Sequence, residues 1–161
     1  REGNTAEASE YADQLMPLHE NISKLGSCQN PVVDAFLSSR IRDAEDRGIS
    51  VKTDIMIPAE LNISNTDLIV LFGNIMDNAV EACGCTEIKE ISLRSHAAKG
   101  YLIVTESNPA VKAPQKKRRR IPELERGVGF RVLSSLAKKY DGSFKYGVEN
   151  GVYTVTVMLR A

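Results

Sequence analysis

The sequence predicts an α+β fold: a two-layer α/β sandwich of about five mixed strands covered on one face by three helices. Three observations lead there. After residue 30, three segments carry apolar residues at helical spacing, and about five shorter ones alternate or run apolar over strand lengths. The two kinds do not alternate regularly, as a doubly wound sheet would require. No internal repeat is present, which sets a solenoid aside.

Residues 1–27 are polar and helix-prone, with Ala6, Ala8, Tyr11, Ala12, Leu15 and Met16 as a thin apolar stripe that Pro17 ends. This segment has no core of its own and reads as a helical extension from a neighbouring unit, leaving 28–161 as the domain proper. Asn30-Pro31 opens a helix, an N-cap residue followed by Pro at the first helical position. Val33, Phe36, Leu37, Ile41 and Ala44 recur on its face, and Gly48 stops it. Ile49, Val51, Ile55 and Ile57 then mark a strand closed by Pro58. A long helix is expected from Thr66 to Cys83, followed by strands over Ile88–Ser95 and Tyr101–Glu106. Pro109 to Arg126 has three prolines and no periodicity, and reads as a mobile loop. The last elements are a helix from Gly129 to Tyr140 and a hairpin, Ser143–Gly147 with Val152–Leu159, turned by Asn150-Gly151.

Composition excludes more than it identifies. The 161 residues hold 21 Lys+Arg and 21 Asp+Glu, with 42% hydrophobic residues, which suits one folded domain and argues against disorder. No apolar run approaches the roughly 20 residues of a membrane span, and no leader peptide is visible. A chain beginning at Arg1 is expected to be a piece of something longer. Zero net charge argues against a whole-surface nucleic-acid binder. Cys28, Cys83 and Cys85 are an odd set in a chain too large to need stapling, so free thiols in a reducing compartment are expected. Cys83-Gly84-Cys85 lacks the second pair that a structural zinc site needs, and His19 and His96 stand alone.

The helix over 67–83 carries the first chemical signal. On a wheel, Leu68, Phe72, Ile75, Met76, Ala79 and Cys83 share one broad arc, and Asn74, Asp77, Asn78 and Glu81 share the opposite one. A merely solvated face would use Lys, Glu, Arg and Gln. Asn and Asp are poor helix-interior residues, costing a few tenths of a kcal/mol each. Their short oxygens one turn apart suit a hard cation such as Mg²⁺. Arg126-Gly127-Val128-Gly129-Phe130 is the second signal: two glycines at a helix N-terminus admit close backbone approach, and the N–H groups there favour an anion. Gly-x-Gly alone is commonplace; the preceding run Lys116, Lys117, Arg118, Arg119, Arg120 strengthens the phosphate reading. The alternative for that run is a solvated loop or a nucleic-acid patch.

Together these residues resemble the GHKL ATPases, the superfamily of gyrase, a heat-shock chaperone, sensor histidine kinases and a mismatch-repair ATPase. Asn74-Ile75-Met76-Asp77-Asn78-Ala79-Val80-Glu81-Ala82 is similar to the N-box, and Arg126 to Phe130, continued by Lys138-Lys139-Tyr140-Asp141-Gly142, to the second glycine box. Asn30 to Leu37, with Ala44-Glu45-Asp46-Arg47-Gly48-Ile49, resembles the start of the catalytic domain in the peptide-pheromone, quorum-sensing branch of sensor kinases.

The resemblance implies a Bergerat-type sandwich that binds ATP and Mg²⁺. It assigns the metal to Asn78 with Asn74 in support, places Asp77 and Glu81 on the ATP-binding face, and gives phosphate contacts to Gly127, Val128 and Gly129. Pro109 to Arg126 becomes the lid, with Lys116, Lys117, Arg118, Arg119, Arg120 and Arg126 as its cations. The family's adenine-binding Asp, with its glycines, is replaced here by Glu106-Ser107-Asn108-Pro109; Asn108 can accept from the adenine amino group without charge assistance. Hydrolysing members carry a Glu at the position of Asn74, and Asn cannot act as general base, which favours phosphoryl transfer to a protein His over hydrolysis. The implied partners are a helical dimerisation and phosphoacceptor domain of the same protein, a homodimeric full-length chain and a downstream response regulator, with no nucleic acid. The domain is expected to be cytoplasmic within a membrane-anchored parent. His19-Glu20-Asn21 lacks the His-Asp-x-x-Asn pattern of an acceptor, so residues 1–27 resemble the closing end of the dimerisation domain. A degenerate nucleotide-binding or docking module is the alternative within the fold, and a nucleic-acid adaptor using 116–120 the alternative outside it.

Overall fold

Residues 26–110 and 127–161 are described by the computed structural model; the segment 1–25 and the lid cations Lys116 to Arg120 and Arg126 lie outside them. Strand β1 (Gly26–Cys28) leads into helix α1 (Pro31–Asp46) and strand β2 (Ser50–Ile57). Helix α2 (Asn65–Gly84), the hairpin β3 (Glu90–Ala98) and β4 (Tyr101–Pro109), helix α3 (Val128–Lys139), and the hairpin β5 (Ser143–Glu149) and β6 (Val152–Arg160) follow. The sheet order is β1-β2-β3-β4-β6-β5. The β1/β2 and β2/β3 pairs are parallel, and the other three are antiparallel.

The mixed sandwich matches the expectation, with one addition. The described residues form six strands where about five are expected, because β1 extends the parallel edge. That strand straddles the expected boundary at 27/28, within a stretch read as helical. Three residues show no periodicity, and their strand state is set by pairing: Gln29 N donates to Ile57 O at 2.8 Å, continuing the ladder.

Local chemistry fixes the helices. Asn30 Oδ1 accepts from Val32 N and Val33 N, both at 3.1 Å, capping α1 while Pro31 fills a position whose N–H would lack a partner. Its Nδ2 donates to Asn65 Oδ1 at 2.8 Å, which ties the start of α1 to the start of α2. Ser64 caps α2 by accepting from Asp67 N at 3.1 Å. The sheet's inner face is continuous on β4, where Leu102, Val104, Glu106 and Asn108 alternate with partly exposed residues. Over it α2 buries Leu68, Leu71, Phe72, Ile75, Met76, Ala79 and Cys83. Each large aliphatic or aromatic side chain among them contributes about 1.5–3 kcal/mol. One glycine is dictated by space: a Cβ on Gly142 would lie 1.8 Å from Met158 O, so the turn after α3 admits no side chain.

Candidate functional site

The site lies where α2 and α3 meet. Helix α3 begins at Gly127, which supplies no capping side chain, and its first turn holds no acidic residue. The start of the helix is fixed from the other side by an aromatic cluster: Phe130 meets Phe144 edge-on at 5.5 Å and Tyr146 at 5.0 Å, centroid to centroid. Gly129 is thereby held against α2. A Cβ there would stand 3.1 Å from Asn78 Oδ1 and 3.2 Å from Asn74 Oδ1. Both carboxamide oxygens thus converge on one backbone position, and the absent side chain is what lets them do so. Asn74 is oriented by its own helix, Nδ2 donating to Val70 O at 2.7 Å. This arrangement brings together the two sequence signals, the Asn pair and the Gly-x-Gly.

The other two residues of the polar stripe go elsewhere. Asp77 pairs with Arg40 of α1 at 3.3 Å, and Glu81 lines the groove between α1 and α2 with Arg40, Asp43 and Arg47. On a wheel the four share one arc, but the Asn pair occupies the edge facing α3 and the acidic pair the edge facing α1. The wheel cannot say which neighbour stands at which edge.

Asn108 is on the inner face of β4, the strand against which α2 packs, and is 3% exposed. Its Nδ2 donates to Pro109 O at 2.9 Å, while Oδ1 is buried with no partner among the described residues. An acceptor held this way is suited to an amino group brought by a ligand. Glu106, two residues earlier on the same face, is missed by sequence reasoning as a site residue. It is 1% exposed, its Oε1 has no partner among the described residues, and burial raises its carboxyl to about 8. Ser95 Oγ, on β3, is a third buried oxygen without a partner among the described residues. The signal for Glu106 was strand parity, since it follows Leu102 and Val104 at period two.

At the far end of the same helix pair the polar groups are fully engaged. Asp67 Oδ2 accepts from Lys139 Nζ at 2.7 Å, from Ser64 Oγ at 2.9 Å and from the Tyr140 hydroxyl. The Lys139 hydrogen bond, then that of Tyr140, hold the Asp67 carboxyl below its ordinary value. Cys83 is buried, Cys85 exposed and Cys28 half-buried, all as free thiols. Burial raises the Cys83 thiol, with Glu106 adding to it. His96 is exposed on the outer face of β3.

A donor set of two carboxamide oxygens beside an uncapped helix N-terminus fits a hard cation carrying phosphate, and the unpartnered Asn108 acceptor fits an aminated base. Comparison with known proteins places the chain in a family. The model of the GHKL domain family matches residues 63–160. Sensor histidine kinase DcuS of Escherichia coli K12 is 31% identical over 145 residues, covering 82% of this chain and 26% of DcuS. Sensor protein PhoQ of Escherichia coli O157:H7 is 27% identical over 126 residues, covering 73% of this chain and 25% of PhoQ. The chain thus spans about a quarter of the length of these curated relatives. A histidine kinase from Burkholderia phymatum STM815 has the same fold, with a TM-score of 0.62 at 15% identity over 95% of this chain and 78% of its own. The chain belongs to the GHKL family, in the form found in sensor histidine kinases.

Proposed function

We propose that residues 26–161 form the ATP-binding catalytic domain of a sensor histidine kinase, which binds Mg-ATP and presents the γ-phosphate to a His on a separate helical domain. The observation that carries this reading is the convergence of Asn74 Oδ1 and Asn78 Oδ1 on Gly129 at the start of α3. Asn78, with Asn74 beside it, would hold Mg²⁺, whose charge would neutralise that developing on the phosphate oxygens. The N–H groups of Val128 and Gly129, aided by the helix dipole, would hold phosphate oxygens, and Gly127 leaves room for their approach. Asn108 Oδ1 would accept from the adenine amino group. Asp77, paired with Arg40, and Glu81, in the groove between α1 and α2, would steady the helix that carries the Asn pair. The lid cations Lys116 to Arg120 and Arg126 would meet the γ-phosphate.

Nothing in the Asn pair can remove a proton from water, so the domain would position and stabilise rather than hydrolyse. The phosphoryl group would pass to a neutral imidazole nitrogen as its bond to the β-phosphate oxygen breaks. The partners would be a helical dimerisation domain of the same protein, of which the segment before β1 would be the closing end, and a response regulator. Free thiols accord with a cytoplasmic position, and the parent would be a membrane-anchored homodimer. A place in the pheromone-sensing branch would rest on the resemblance of Asn30–Leu37 and Ala44–Ile49. The test is transfer of labelled γ-phosphate, in the presence of Mg²⁺, to the His-bearing helical domain supplied in trans. Labelling of that domain supports the reading. A second reading, a nucleotide-binding or docking module without transfer, draws on Pro109 standing where the family has a glycine-rich turn, and predicts ATP binding with no labelling.

A further inference from the structure

Ser95, Glu106 and Asn108 form a row of buried polar groups on two adjacent strands. Ser95 of β3 pairs with Val104, and Leu93 with Glu106, so Ser95 stands diagonally across from Glu106, two residues along the register on the same inner face. The three are 2%, 1% and 3% exposed, and Ser95 Oγ, Glu106 Oε1 and Asn108 Oδ1 have no hydrogen-bond partner among the described residues. A Val at 106 would satisfy packing beside Leu93 and Val155, its neighbours across the sheet. A carboxyl there costs stability unless something hydrogen-bonds it.

Resting on the reading of this region as a nucleotide pocket, we propose that Glu106 is a second base-reading residue: its neutral acid donates, directly or through one enclosed water, to a ring nitrogen of adenine while Asn108 accepts from the amino group. The two residues are separated by about 6.8 Å along the strand, a span that a Glu side chain with one water covers. A donor beside an acceptor matches the amino and ring-nitrogen edge of adenine, and opposes the oxo and N–H edge of guanine. The groups that face Glu106 are compatible with a neutral acid. From α2 comes the Cys83 thiol, from β3 Leu93 and Ser95, and from β6 Val155 with Tyr153 two residues away; burial is the one cause acting on the carboxyl.

The experiment is calorimetric titration of Mg-ATP and Mg-GTP onto the 161-residue chain, as parent, Glu106→Gln and Glu106→Leu, with circular dichroism checking the fold. The parent should lose about tenfold in ATP affinity between about pH 7 and about pH 9.5, as the acid ionises and its donor is lost. Glu106→Gln, which donates at both values, should show no such loss. Glu106→Leu should bind ATP about tenfold more weakly than the parent at about pH 7, with its preference over GTP reduced by a similar factor. A shared pH profile for parent and Glu106→Gln overturns the proposal while ATP binding stands, and so does a Glu106→Leu variant matching the parent near neutrality. Should Glu106→Leu fail to fold, the Glu106→Gln profile still decides. Absence of ATP binding by the parent overturns the pocket reading, and this proposal with it.

Discussion

Helices α2 and α3 touch through polar groups at two ends, and the two ends are built oppositely. At one, Asp67 accepts three hydrogen bonds, from Lys139, Tyr140 and Ser64, and Ser64 N donates to the Tyr140 hydroxyl at 3.2 Å. At the other, Asn74 and Asn78 close on a glycine, beside a helix N-terminus without a side-chain cap. The first end spends its polar groups on holding the helices together. The second keeps them available. The contrast separates stabilising from binding residues without reference to any relative, because a satisfied polar cluster has little left to offer a ligand.

The largest expected effect concerns the most costly of the open groups. Glu106 is raised from 4.5 to about 8 by burial, so the unfolded chain releases this proton through a window in which the folded chain keeps it. Stability should therefore fall as pH rises from about 4.5 to about 8, by roughly 5 kcal/mol in all. Glu106→Gln should remove that slope and unfold at higher urea than the parent at pH 8, the gap closing toward pH 5, as denaturation at the two values would show. Equal slopes would mean that the acid is satisfied after all.

Gly129→Val comes next. Its branched side chain would enter space that lies 3.1–3.3 Å from three atoms of Asn74 and Asn78, so nucleotide affinity should drop about tenfold or more. The melting temperature should shift by a few degrees at most, since Gly129 is at the rim of the core. Asp67→Ala should show the reverse pattern: a loss of about 1–2 kcal/mol in stability, with nucleotide affinity unchanged. Because the Asp67 carboxyl is held below its ordinary value, its contribution is present above that value and vanishes as pH falls through the lower, folded-state one. Parent and Asp67→Ala should thus converge in stability in acid. An Asp67→Ala variant that loses ATP affinity would erase the distinction between the two ends.

How much of this the sequence disclosed depends on the range of the interactions. The Asn30 cap, the α2 stripe, the Asn150-Gly151 turn and the Gly-x-Gly helix start are local patterns, and each was readable. Strand β1 was not, because pairing with β2 rather than periodicity makes it a strand. The division of the polar stripe was also hidden, since Asp77 turns to Arg40 and Asn78 to Gly129 only once three helices are packed. Glu106 followed the parity of Leu102 and Val104, yet a charged residue at an expected strand end reads as solvent-facing. Its burial became visible only with the strand running on to Pro109.

The claim at the centre is that the open end holds Mg-ATP through Asn78. The direct measurement is ATP titration of the parent and Asn78→Ala, with and without Mg²⁺, alongside thermal unfolding of both. The parent should bind ATP in a Mg²⁺-dependent manner, and Asn78→Ala should lose about a hundredfold or more of that affinity while melting like the parent. An Asn78→Ala variant that binds Mg-ATP as the parent does, or a parent that binds no ATP at millimolar concentration, would contradict it.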